Sequence, residues 1–316
     1  MRAKIILCAF IFAAVGSQCV DGEPHEIRYR SSADDTRQPA MFFAPSVEKP
    51  VPLLVVLHTW SGDYTQNAMY TKRCFTWCKK HKWVYIHPHF RGPNNRPEAT
   101  GSNLVVSDIK DAVKFARREA SVDRERIYIV GASGGGHAAL LMAGRAPELW
   151  AGVSAWCGIS DLASWYCQHD GTGKYARMLE KSCGGPPDKS EKVAQEYRRR
   201  SPLTYLRRAR GVPIDIHAGI YDGHTGSVPV SQSLRAFNAV ARRKDRISEE
   251  NIRHITEEAE VPSGLQFGGE APHYGKKKVL FRKNSGSARV TVFRGSHEII
   301  SEAALNWLDE LGKDKN

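Results

Sequence analysis

The chain has 316 residues, 41% of them hydrophobic, enough for one sizeable core or a tight pair of domains. Its 46 basic and 34 acidic side chains leave a net charge of +12, a surplus suited to acidic surroundings such as anionic polysaccharide or a cell envelope. Beyond the N-terminus no stretch approaches the roughly 18 apolar residues of a transmembrane segment, and no aromatic-interleaved basic module suggests specific nucleic-acid binding.

In chain order, Arg2 and Lys4 precede an apolar run over residues 5–15 and the small residues Gly16 and Ser17. That is the build of a secretory signal peptide, taken as residues 1–22, so a secreted or periplasmic protein is expected. Residues 23–316 then form one catalytic domain. Residues 25–43 read as edge strands, and the apolar run 53–57 as a strand buried on both faces. Helical spacing follows over 67–81, a strand over 84–86, and a helix over 108–120, where Ile109, Ala112, Val113 and Ala116 share a face. Strands at 127–130, 151–155, 214–217 and 288–293 alternate with helices at 230–242 and 298–311. This rhythm means an α/β fold, a mostly parallel sheet with helices on both faces.

Two stretches break the rhythm. Residues 158–212 read as a lid-like insertion, and residues 244–287 as an elaborated loop or hairpin before the last strand. The basic clusters Arg198–Arg200, Arg242–Lys244 and Lys276–Lys278 read as solvated faces. There are seven cysteines. In an oxidising compartment one or two disulfides are expected, with Cys157, Cys167 and Cys183 as the group to pair. Cys74 and Cys78, four apart in a helix, suit a buried pair on one face. No paired Cys/His spacing of the zinc type occurs, so no structural metal is expected.

The strongest local signal is Gly131-Ala132-Ser133-Gly134-Gly135. A strand ending in Gly-x-Ser-x-Gly and turning at once into a helix is a nucleophile elbow, which places the arrangement in the α/β-hydrolase fold. It projects the Ser133 hydroxyl at a helix N-terminus, where backbone dipoles favour negative charge. A serine needs a base, and in this fold the order is Ser, acid, His. His297 lies between the last strand and the last helix, ahead of its rivals His217 and His224. Asp222, in a loop after the penultimate strand, fits the acid better than Asp215, which lies within the strand.

Acyl transfer also needs donors for the developing oxyanion. The Gly134 amide is one, and the Thr59 or Trp60 amide the second. Trp156, Trp165 and Tyr166 are candidates to line a substrate cleft. The triad and these amides suffice for the chemistry, so no cofactor is expected.

With these residues assembled, the chain resembles the catalytic domain of the prolyl oligopeptidase family of serine peptidases from about Val51 onward. The telling pieces are Val122-Asp123-Arg124-Glu125-Arg126-Ile127 leading into Gly-Ala-Ser-Gly-Gly-Gly-His, then Arg200-Ser201-Pro202-Leu203-Thr204-Tyr205. Val228-Pro229-Val230-Ser231-Gln232-Ser233 and the terminal Gly-Ser-His are also similar. The resemblance implies a serine peptidase acting on small peptides, with Ser133, Asp222 and His297 as its triad. At this length the chain is expected to lack the N-terminal β-propeller that screens substrates in many members. His58-Thr59-Trp60-Ser61-Gly62 stands where the family usually shows His-Gly-Gly, and the acid loop is longer, through Gly223 to Ser227. Compact relatives include carbohydrate esterases, so acylated carbohydrate is the alternative substrate.

Overall fold

A computed structural model describes residues 22–313. The strands are β1 (His25–Arg30), β2 (Arg37–Phe43), β3 (Val51–Leu57), β4 (Val84–Pro88), β5 (Val122–Ala132), β6 (Gly152–Trp156), β7 (Ile214–Gly219), β8 (Val279–Ser285) and β9 (Ala288–Phe293). They form one sheet in the order β1-β2-β4-β3-β5-β6-β7-β9-β8. The six strands from β4 to β9 are parallel; β1, β2 and β8 add antiparallel edges.

The longer helices are α1 (Met69–His81), α2 (Asn103–Glu119), α3 (Gly134–Arg145), α4 (Leu162–Gln168), α5 (Lys174–Cys183), α6 (Glu191–Arg200), α7 (Val230–Val240), α8 (Glu249–Glu258) and α9 (Ser301–Lys313). The period-two alternation of a strand sorts side chains between the two faces. Leu53, Val55, Ile127 and Ile129 join the core built with α2, α3 and α7. Leu54, Val56, Tyr128 and Val130 join the one built with α1 and α9. That sandwich is the α/β-hydrolase arrangement. Helix α2 starts five residues earlier than its apolar spacing suggests, because Ser102 caps it by accepting from the Val105 amide at 3.3 Å.

The 158–212 insertion folds as α4, α5 and α6 around a third apolar cluster that includes Trp60, Trp165, Leu179 and Tyr197. Residues 244–287 supply α8 and the edge strand β8, which turns into β9 at Gly286. Arg200 is not part of a solvated face: it is 3% exposed and its Nη1 donates to the Ala99 carbonyl at 2.8 Å, fastening the insertion to the 97–100 loop. The disulfide expectation is also overturned. Cys74, Cys78, Cys157, Cys167 and Cys183 are all free thiols. Cys183 lies inside the insertion's own core, Cys167 is exposed, and Cys157 sits elsewhere, against the loop that carries His297. Cys74 and Cys78 are buried in α1, as their spacing suggests. The expected signal segment, apart from Gly22, lies outside the described residues, as do Cys8 and Cys19. Among the described residues no helix is long and apolar enough to cross a membrane.

Candidate active site

Parallel strands end on the same side, so side chains just past β5, β7 and β9 share one rim of the sheet, where α/β folds bind ligands. Ser133 follows β5 at φ 59° and ψ −118°, a left-handed backbone that a residue with a side chain holds only under strain. Its amide donates to the Trp156 carbonyl at 2.8 Å, and its own carbonyl accepts from His137 at 2.8 Å. A methyl group at Gly131 would collide with the backbone of Gly135, which explains why glycine brackets the serine.

The acid and base loops run side by side. Ile220 and Tyr221 donate through their amides to the carbonyls of Phe293 and Gly295, each at 2.9 Å. The Asp222 side chain is wholly buried, whereas that of His297 keeps 26% exposure. His297 Nδ1 lies 2.7 Å from Asp222 Oδ2, and the other carboxylate oxygen accepts from the Val228 amide at 3.0 Å. Both acceptor atoms of the acid are thus engaged, which fixes the ring through Nδ1. Among the described residues His297 Nε2 makes no hydrogen bond, so it is free to take a proton. The neck of the site is β6: Ser133 hangs from Trp156, and the amide of Cys157 donates to the His217 carbonyl in β7 at 2.7 Å.

The oxyanion candidates separate cleanly. The Thr59 amide already donates to Gln66 Oε1 at 2.8 Å. Among the described residues the Trp60 amide has no acceptor, and a side chain on Gly134 would sit 2.5 Å from the Trp60 nitrogen. The Gly134 and Trp60 amides are therefore neighbours, while Thr59 serves the loop. Gln66, half-buried and set in a polar stretch without periodicity, carries no sign of this role in the sequence.

Two of the three cleft candidates are corrected. Trp156 is fully buried, its indole stacked on His217 at 3.6 Å and its Nε1 donating to Ser154 Oγ at 2.9 Å. Trp165 is 1% exposed and packs edge-on against Trp60 at 4.8 Å. Both rings close apolar layers instead of facing solvent. Tyr166 is half-buried, with its hydroxyl donating to Glu180 at 2.6 Å inside the insertion. The rivals of the triad are structural. His217 and Asp215 are buried 2.9 Å apart within β7, and Arg289 also pairs with the carboxylate. Burial opposes the charge on Asp215, but His217 and Arg289 outweigh it and hold its carboxyl down at about 2. Burial holds the His217 ring below its usual range despite that partner.

The family model described as "Prolyl oligopeptidase family" matches residues 74–254. The "Uncharacterized peptidase YtmA" of Bacillus subtilis is 27% identical over 138 residues, 43% of this chain and 51% of the relative. Oligopeptidase B from Leishmania major superposes with a TM-score of 0.59 at 11% identity, over 92% of this chain and 36% of that one. A puromycin-hydrolysing peptidase of Mycobacterium tuberculosis gives 0.57 at 18% identity, over 92% and 39%. The Pyrococcus horikoshii acylaminoacyl peptidase gives 0.55 at 22%, over 69% and 34%. The chain thus spans about half the length of the curated relative and little more than a third of these solved chains, whose likeness is one of fold.

Proposed function

The chain belongs to the prolyl oligopeptidase family, and from that we propose that it is a serine hydrolase cleaving short peptides through an acyl-enzyme. The observation that carries the reading is the His297–Asp222 pair, joined at 2.7 Å on the rim that also presents Ser133 from a strained elbow. His297 Nε2 takes the Ser133 hydroxyl proton as Oγ attacks the carbonyl carbon. Asp222 Oδ2, accepting from Nδ1–H, stabilises the ring while it is protonated. The carbonyl oxygen gains its negative charge beside the Gly134 and Trp60 amides, at the positive end of α3. The ring returns the proton to the leaving amine, and water, deprotonated by the same nitrogen, releases the acid and restores Ser133.

Peptide substrates are favoured by the family membership; the sugar-ester alternative has no observation of its own. We also propose export, on the charged, apolar and small residues of the N-terminal segment. The test is turnover of peptide anilides beside acetylated and feruloylated sugars, with Ser133→Ala as blank. Peptide turnover and fluorophosphonate labelling, both lost in Ser133→Ala, are expected. Labelling that survives the substitution would overturn the nucleophile, and turnover confined to sugar esters would overturn the substrate class.

A further inference from the structure

Acyl transfer leaves one buried nucleophile beside the triad unused. Cys157 follows β6 with φ 47° and is 1% exposed. Its Sγ lies 3.4 Å from the Glu298 carbonyl and 3.9 Å from that of Ser296, on either side of His297. The other buried thiols, Cys74, Cys78 and Cys183, lie among apolar side chains. Cys157 instead faces oxygens and the acid. Its Sγ, a carboxylate oxygen of Asp222 and a ring nitrogen of His297 all lie within 4.8 Å of one another. Among the described residues no other group of three such side chains comes so close.

We propose that Cys157, Asp222 and His297 form a binding site for a soft divalent cation, Zn²⁺ foremost, and that the bound cation switches the hydrolase off. Sulfur, carboxylate and imidazole are the donors of four-coordinate zinc, with a water completing the set. Ligand bonds of about 2.0–2.3 Å place neighbouring donor atoms about 3.3–3.7 Å apart in a tetrahedron. That spacing falls between the 2.7 Å of the acid–base contact and the 4.8 Å outer bound of the cluster. The ring and the acid part slightly and the thiol closes in. The partial exposure of the His297 side chain gives the ion a way in.

Binding forms bonds from the metal to Sγ, a carboxylate oxygen and Nδ1. The thiol proton leaves to bulk water. The Nδ1 proton is displaced, and the neutral ring carries its one proton on Nε2. A ring protonated there cannot accept from Ser133, so attack stops. The effect on activity rests on the triad reading above; the binding itself does not.

The test titrates Co²⁺, a spectroscopic stand-in for zinc, into metal-free Ser133→Ala protein, which keeps all three ligands. A thiolate-to-cobalt charge-transfer band saturating at one equivalent is expected, persisting with Cys167→Ser and absent with Cys157→Ser or Cys157→Ala. In the unsubstituted protein Zn²⁺ should block fluorophosphonate labelling, and a chelator should restore it. Cys157→Ser should raise the zinc concentration needed by at least about tenfold, since even an outer partner of a metal ligand is worth that much. No band at stoichiometric cobalt, a band that survives loss of Cys157, or equal zinc sensitivity of the two proteins would overturn the site. If the band forms in a protein that proves to hydrolyse nothing, the site stands and the functional reading falls.

Discussion

Trp165 Nε1 donates to the Ser227 carbonyl at 2.7 Å, joining α4 of the insertion to the loop that carries the acid. The next amide, that of Val228, donates to Asp222 Oδ1 at 3.0 Å. A side chain some sixty residues away in sequence therefore braces the carboxylate at one remove. In Trp165→Phe the packing on Trp60 is largely kept and the hydrogen bond is lost, which should cost about 1 kcal/mol of stability. A several-fold lower kcat at nearly constant KM should accompany it, because Asp222 is positioned less firmly. Urea unfolding and anilide kinetics measure the two; unchanged kcat in a destabilised protein would show that the insertion does not support the acid. Trp165→Ala should cost about 3–5 kcal/mol, the usual range for emptying a buried tryptophan site.

Gly226 lies against both members of the pair. A methyl group there would collide with Asp222 Oδ1 and stand 2.8 Å from His297 Cβ. Gly226→Ala should lower kcat/KM by about a hundredfold, the scale of a misplacement of about 1 Å in an active site. Circular dichroism should remain that of the parent. Full activity would mean that the acid loop yields without disturbing the pair.

Gln66 sets which amide faces the oxyanion. Its side chain accepts from the Thr59 amide at 2.8 Å and donates to Thr59 Oγ1 at 2.7 Å, holding the turn that leaves Trp60 free. Gln66→Leu removes both bonds. A direct oxyanion donor is worth about a hundredfold or more in kcat, so a residue that only positions one should cost about tenfold, seen in kcat and not in KM. A rise in KM alone would place Gln66 in substrate binding instead.

Much of this was legible in the sequence for reasons that differ by element. β3 and the second half of β5 are unbroken apolar runs, and the elbow has a steric requirement that only glycines meet, so the centre of the sheet and Ser133 can be read locally. Asp222 and His297 followed from chain order after recognisable strands. The insertion was harder: α4 to α6 bury their faces on each other and on Trp60, so their pattern follows no single layer. Aromatic residues misled most. Trp156 ends a strand and Trp165 lies in the insertion, where both suggest a cleft, yet one stacks on the buried His217 and the other fills the insertion. Spacing alone groups Cys157 with the other cysteines, because it cannot distinguish a thiol facing oxygens from one facing carbon.

Stability should fall on acidification through buried histidines. Burial, then the neighbouring His58, pushes His87 down to about 3, and burial pushes His137 down to about 4, each from 6.5. Both rings are neutral in the fold. Above 6.5 the unfolded chain is also neutral and nothing is lost. Below it the unfolded chain binds protons that the native rings refuse, and each contributes a loss of about 1.4 kcal/mol per pH unit. These two should remove about 2–3 kcal/mol between pH 7.5 and 5.5. Urea unfolding at the two pH values measures this, and His137→Gln should lessen the loss by about 1.4 kcal/mol; a flat profile would mean that the rings exchange protons freely in the native state.

The sheet ends at both sides in antiparallel strands, and these outer strands carry charge. β1 presents Arg28 and Arg30, and β8 presents Arg282 and Lys283. An exposed strand edge is a template for pairing with another copy, and charged side chains along it are the usual defence. On β1 those arginines are ion-paired with Glu26 and Asp35, so pairing another strand there would mean disturbing ion pairs and shedding water. The fold can thus hold a long parallel centre, whose strands are already paired on both sides, behind borders on which a second sheet could grow only by covering charged side chains.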